Sequence, residues 1–359
     1  MSEKVFLIYG ANGFTGRLIA ERAAEAGLKP IVAGRNRAAV EEIGGRLGLP
    51  TRVFDLDRPE AIDEGIRGTA LVLHCAGPYS KTSRPMVDGC LRAGASYLDI
   101  TGEFAVLESV LARGSEARAA GCVLMPAVGF DVVPTDCMAA KLYAALPDAV
   151  RLELAFTGGM KPSPGTAKTA VEGLPLGALV REGGRVVALR APRTRQVPFA
   201  NGPKFAMSIP WGDLASAFVS TGIPNITVYT VVPKNVARFA PMLRLWAPVL
   251  RRPQVVSFLQ RRVEKRAAGP SEGDRKTHRM WIWGRVENAA GAAVEGHLGV
   301  PEGYELTVVA SLASVERVLR RDIAPGAYTP SRAFGPDFVA TLPGVEPFRI
   351  EPELRVAPP

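Results

Sequence analysis

Through the first third of the chain, short apolar runs alternate with longer stretches whose apolar residues recur about every 3.6 positions. The run Lys4-Val5-Phe6-Leu7-Ile8-Tyr9 and those near 30–33, 51–54, 70–75, 95–99 and 121–126 predict strands. The stretches near 37–47, 59–67, 84–93 and 104–120 predict helices, as does the segment that places Leu18, Ile19, Ala20 and Ala23 on one side. Strands spaced by amphipathic helices specify an α/β unit with a parallel, doubly wound sheet over residues 1–130. The pattern then changes. Longer alternating strands at 150–157, 226–232, 280–288 and 292–299, a Gly/Pro-rich loop at 158–165 and a long loop around 190–213 predict a second, α+β domain on a mixed or antiparallel sheet over 131–325. A helix is expected near 303–320, and the segment 326–359 is expected to return to the first domain.

The first strand runs into Gly10-Ala11-Asn12-Gly13-Phe14-Thr15-Gly16 and then into a helix. Gly10 permits a tight turn, Gly13 lets backbone approach a pyrophosphate, and Gly16 lets the helix pack close to the strand. The free N–H groups and dipole at the helix start favour phosphate. Residues 10, 12, 13, 14, 15 and 16 are therefore the expected dinucleotide contacts, in a Rossmann arrangement. An NAD site usually carries an acid at the end of the second strand for the ribose 2′-hydroxyl. Here the strand ends in Gly34-Arg35-Asn36-Arg37. Guanidinium groups suit a 2′-phosphate, so Arg35, more than Arg37, points to NADP(H). Asp55, after the third strand, reads equally as a contact to the adenine edge or as a turn residue.

Composition narrows the class. Of 359 residues, 47% are hydrophobic and 22% charged, as in ordinary globular domains. Cys75, Cys90, Cys122 and Cys137 form no Cys-x-x-Cys pair, and with three histidines a metal site is not expected. Dispersed cysteines, no apolar leader and no membrane-length apolar run fit a cytoplasmic protein. The +9 charge is concentrated: residues 234–266 hold nine basic side chains against one acid, Glu264. Apolar residues alternate with them at helical spacing, broken by Pro241, Pro248 and Pro253. Such a surface either covers a core with a solvated face or attracts an acidic protein or an anionic membrane. Nothing resembles a nucleic-acid module.

Ligands of open α/β sheets bind beyond the C-terminal strand ends. Three segments converge there: Cys75-Ala76-Gly77-Pro78-Tyr79, Tyr97-Leu98-Asp99-Ile100-Thr101-Gly102-Glu103, and Gly129-Phe130-Asp131-Val132-Val133-Pro134-Thr135-Asp136. Together with Gly10-x-x-Gly13-x-x-Gly16, these motifs resemble the saccharopine dehydrogenase-like oxidoreductases, and within them the trans-acting enoyl reductase branch. The resemblance implies a Rossmann domain that binds NAD(P), with the turn Ala76, Gly77, Pro78 and Tyr79 along the cofactor. It implies action on unsaturated acyl chains made by polyketide synthases. No basic cluster in 150–230 answers to the two carboxylates of an amino-acid substrate.

Enoyl reduction needs a hydride at the β-carbon, a group that stabilises the enolate oxygen, and a proton at the α-carbon. Tyr79, Thr101 and Lys161 are candidate donors, with Lys168 and the Gly158-Gly159 backbone; none is marked as the acid. Asp99, Glu103 and Asp131 read better as braces of their loops than as acids. The leading reading is an NADP(H)-dependent enoyl reductase of a polyketide or lipid thioester carried by an acyl carrier protein, peripheral to the membrane or free of it, with a homodimer a reasonable assembly. The alternatives are an oxidoreductase of an imine or amino-acid substrate, and a non-catalytic cofactor-binding or membrane-surface protein.

Overall fold

The computed structural model describes residues 5–158, 161–237, 249, 252–264 and 266–352. Its first layer follows the alternation in the sequence. Strands β1 (Phe6–Tyr9), β2 (Ile31–Gly34), β3 (Thr51–Val53), β4 (Leu71–His74), β5 (Ser96–Asp99) and β6 (Val123–Met125) are joined by α1 (Phe14–Glu25), α2 (Arg37–Leu47), α3 (Pro59–Gly65), α4 (Tyr79–Ala93) and the pair α5 (Phe104–Leu111) and α6 (Gly114–Ala120). The strands are parallel, in the order β6-β5-β4-β1-β2-β3. Chain direction across the sheet reverses between β1 and β4, which opens a crevice at their C-terminal ends. Apolar side chains cover both faces: Ile8, Val32, Leu73 and Leu98 on one, Leu7, Ala33, Val72 and Tyr97 on the other.

The second layer begins with α7 (Val133–Ala145) and β7 (Ala149–Phe156). There follow α8 (Pro164–Gly173), the hairpin β8 (Leu179–Glu182) and β9 (Arg185–Ala188), β10 (Thr194–Phe199), β11 (Gly202–Ser208), α9 (Asp213–Thr221) and β12 (Asn225–Val231). Next come α10 (Pro253–Glu264), α11 (Glu272–Thr277), β13 (Arg279–Asn288), β14 (Ala293–Pro301), α12 (Gly303–Arg320), β15 (Gly326–Ala327), α13 (Pro330–Phe334) and β16 (Arg349–Pro352). The second sheet runs β10-β11-β12-β7-β13-β14-β16 and is mixed: β12 and β7 are parallel, the other neighbours on this path antiparallel. Helices α7 and α9 supply Met138, Leu142, Leu214 and Ala217 to a core with Leu154, Val228, Ile282 and Leu298.

Several elements differ from the sequence expectation. The stretch 190–213 is largely the hairpin β10–β11 rather than a loop. Val197 and Phe199 point inward between exposed neighbours, and Pro198 is tolerated because β10 is an edge. The Gly/Pro-rich stretch 158–165 ends in α8: Ser163 caps it by accepting from Thr166 N (3.2 Å), and Pro164 takes the first turn. The helix of 84–93 starts earlier, at Tyr79, and that of 104–120 is divided before Gly114. Helix α12, expected in the second domain, adds Val308, Val315 and Val318 to the first domain's core beside Ile19. The C-terminal segment divides: β15 extends the first sheet beside β6, and β16 pairs with β14 in the second.

Candidate functional site

Three loops meet at the crevice. Gly10 (φ +84°) turns the chain out of β1, and its N–H donates to Ala33 O (2.8 Å). A Cβ on Gly10 would lie 2.8 Å from Ala76, and one on Gly16 only 2.3 Å from Gly10 O. Both glycines are demanded by close backbone approach. Gly13 opens α1 with no side-chain cap, and no acid stands in the first turn. The helix start is left polarised toward an anion. Asn12 is exposed at this turn, its Oδ1 against the space over Gly34. Phe14 packs edge-on to Tyr304 (4.9 Å between ring centres) and lies under Gly269; Thr15 is half-buried.

Beyond β2 and β3 lies a pocket of about 560 Å³ lined by Arg35, Arg52, Asp55, Arg58 and Arg67 among others. Arg52 is spent on the carbonyls of Gly65 and Arg67 (2.9 and 2.8 Å), and Arg67 pairs with Glu64. Arg37 pairs with Glu41 (3.0 Å). Among the described residues nothing accepts from the guanidinium of Arg35 or Arg58. Asp55 lines the pocket and also accepts from Asp57 N (3.2 Å), a turn bond. Arg58 was not singled out from the sequence. Its signal was a basic side chain just before Pro59, where α3 begins beside the end of β3.

On the other side of β1 the turn Cys75–Tyr79 contains a cis Gly77–Pro78 peptide. Ala76 closes against Gly10, and its carbonyl accepts from Thr82 Oγ1 (2.7 Å). Glu103, from the loop after β5, accepts the N–H groups of Tyr79 and Ser80 (3.0 and 2.9 Å) and thereby caps α4. Burial pushes its carboxyl above the usual range, against the pull of those two bonds. The Tyr79 hydroxyl is buried and donates to His74 O (3.3 Å); burial raises its phenol well above the ordinary value. Thr101 is buried: its N–H donates to Asp99 Oδ1 (3.0 Å) and its Oγ1 accepts from Glu103 N (3.1 Å). Asp99 also takes Ala127 N (2.8 Å) and Tyr97 OH (2.7 Å), yet burial raises it to about 6. Asp136 accepts from Ser220 Oγ (2.5 Å) and Ser331 N (2.7 Å). Asp131 stands apart. Its main-chain carbonyl accepts from Trp211 Nε1 (2.6 Å), but no described group hydrogen-bonds to its carboxyl, which burial raises to about 7.

Helix α8 spans the crevice. At its start Ser163 N donates to Tyr304 OH (2.7 Å), which also bonds Thr166 Oγ1 (2.9 Å). At its end Glu172 meets Ser80 Oγ (3.3 Å) and Gln260 Nε2 (2.9 Å). Helix α8 is thus tied at both ends. Lys161 lies outside the convergence, mostly exposed and 3.6 Å from Asp274. Of the Gly158-Gly159 pair, Gly159 lies outside the described residues, as do 238–248, 250, 251 and 265 of the basic stretch 234–266. No group of three metal-ligating side chains is found among the described residues. Cys75, Cys90, Cys122 and Cys137 are free thiols. No described helix is long and apolar enough to cross a membrane.

A parallel sheet in this order, a glycine turn into an uncapped helix, and unpaired guanidiniums past β2 define a dinucleotide-binding Rossmann domain. Residues 6–125 match the family described as "Saccharopine dehydrogenase NADP binding domain". The chain is 32% identical over 150 residues to a human saccharopine dehydrogenase-like oxidoreductase, a match covering 36% of this chain and 35% of that protein. It is 33% identical over 145 residues to a trans-acting enoyl reductase of Mycobacterium leprae, covering 38% and 35%. The matches thus span about a third of the relatives' length. Apo saccharopine dehydrogenase (L-Glu forming) from Saccharomyces cerevisiae shares the fold over nearly the whole chain (TM-score 0.66, 13% identity, 97% of this chain and 100% of that one).

Proposed function

We propose that the protein is an NADP(H)-dependent oxidoreductase that reduces an unsaturated acyl thioester. The observation that carries the cofactor half is the pair of unpaired guanidiniums, Arg35 and Arg58, on one pocket past β2 and β3. A 2′-phosphate there gains charge-assisted bonds without breaking an internal pair. Gly10, Gly13 and Gly16 admit the pyrophosphate, with Asn12, Phe14 and Thr15 around it. Ala76, Gly77, Pro78 and Tyr79, beyond β4, would hold the nicotinamide end. When bound, reduced nicotinamide supplies a hydride; the chain supplies position and electrostatics.

The choice of acyl over amino-acid substrate rests on charge. Glu103, Asp131, Asp136 and Asp213 gather near this end of the crevice, each raised by burial, and no described cation pairs with any of them. A substrate carboxylate therefore finds no counter-charge among these groups, whereas a neutral enoyl group needs none. The enoyl reductase relatives favour the same reading. Oxidation of NADPH, followed by absorbance, is expected with a crotonyl or longer enoyl thioester. Reduction of NADP+ by saccharopine, with no response to enoyl thioesters, would reverse the assignment. An acidic carrier protein suits the exposed basic face of α10. Changing Arg252, Arg261 and Arg262 to Glu is expected to raise KM for a carrier-linked substrate and spare a free thioester; an equal effect on both would exclude docking there.

A further inference from the structure

The acids around the crevice sort by what their oxygens already hold. Asp99 accepts from Thr101 N, Ala127 N and Tyr97 OH, Glu103 from two N–H groups of α4, and Asp136 from Ser220 and Ser331. Each of these is accounted for as a brace. Asp213 has an unpartnered Oδ2 but is sealed at 0% exposure, so no ligand reaches it. Asp131 alone combines a carboxyl without any described hydrogen bond and partial exposure. Its position is also distinctive. It follows β6, on the side of β1 opposite the Arg35 pocket, and so on the side toward which a dinucleotide anchored at that pocket extends its nicotinamide. Its Oδ2 lies 2.7 Å from where a Cβ on Gly102 would stand, so the absence of a side chain at Gly102 makes room for it. Trp211 fixes its main chain from the second domain.

We infer that Asp131 is the proton donor of the reduction, delivering its carboxyl proton to the α-carbon of the enoyl substrate. This rests on the reductase reading above. As hydride reaches the β-carbon from the reduced nicotinamide dinucleotide, the carbon–carbon π pair moves toward the thioester carbonyl. The Asp131 O–H bond breaks, the enolate pair forms the new C–H bond at the α-carbon, and the carboxylate regains a proton from water. The substrate gains two electrons and two hydrogens, one from the dinucleotide and one from Asp131. A carboxyl raised to about 7 is part-protonated at neutral pH, the condition for such a donor.

The test compares wild type with Asp131→Asn, using NADPH and crotonyl-pantetheine in H2O and D2O. The variant is expected to bind NADPH with unchanged Kd, which shows it folded, and to lose kcat by about 100-fold or more. A resonance titrating near 7 in carboxyl-labelled wild type is expected to vanish. Deuterium from D2O is expected at the α-carbon with one stereochemistry in wild type and scrambled in the variant. Wild-type kcat and stereochemistry in Asp131→Asn would overturn the donor assignment and leave the reductase reading standing. Wild type that binds NADPH but never reduces the thioester would overturn the reading, and the donor role with it.

Discussion

At Gly16 a single methyl group would sit 2.3 Å from a backbone oxygen that cannot move without unwinding the turn at Gly10. Gly16→Ala is therefore expected to cost about 1–3 kcal/mol in thermal unfolding and to abolish NADPH binding; an unchanged melting temperature would refute the tight approach. The arginines past β2 are chemically alike in sequence but differ in what they hold. Arg37 is engaged by Glu41, whereas Arg35 holds nothing described. Arg35→Asp is expected to weaken NADPH by about 10- to 100-fold, the loss of roughly 1.5–3 kcal/mol of charged hydrogen bonding, and to leave NADH binding nearly unchanged. Arg37→Ala is expected to alter neither. Calorimetric titration of both cofactors checks all three statements.

At the scale of elements, the domains are joined by a buried arginine. Arg181 of β8 donates to Leu214 O and Gly184 O (2.6 Å each), pairs with Glu108 of α5 and lies 4.3 Å from the centre of the Phe218 ring. Arg181→Met removes both bonds and leaves Glu108 without its cation, and is expected to destabilise by about 3 kcal/mol in denaturant unfolding. A loss under about 1 kcal/mol would show the tie to be dispensable. This tie had no local signature in the sequence, and the same limit explains the misread elements. The strands and helices of the first sheet were legible because each carries its own period and punctuation, as in Asn36 capping α2 and Gly48 ending it. The start of α4 was not, since its cap is Glu103, 24 residues further on. The hairpin β10–β11 was obscured by Pro198, which an edge strand accommodates, and by Pro203, which faces it beyond the part of β11 that pairs with β12. The glycine turn was legible because three spaced glycines have one economical explanation. The orphan carboxyl of Asp131 was not, because whether an acid is satisfied depends on which distant donors reach it.

The whole molecule titrates through groups buried on this side of the first sheet. In the folded chain Asp99 and Asp131 keep their protons up to about 6 and about 7. The unfolded chain loses them near 4. Over that window the folded state binds more protons, so their contribution is full below about pH 4 and declines as pH rises to 7. His74 acts in the opposite sense. Burial keeps it neutral down to about 3, while the unfolded chain takes a proton below about 6.5, so its contribution is lost as pH falls through that range. In Asp131→Asn the decline between pH 4 and 7 is expected to be shallower by as much as about 1.4 kcal/mol per pH unit. Urea unfolding across that range measures it, and an identical slope in the variant would contradict the raised carboxyl. All of this serves a crevice shaped for one ligand, and its occupancy is the most direct test. In calorimetric titration of the purified chain, NADPH is expected to bind at least about 10-fold more tightly than NADH. No heat with either nucleotide, or equal affinity for both, would contradict the account.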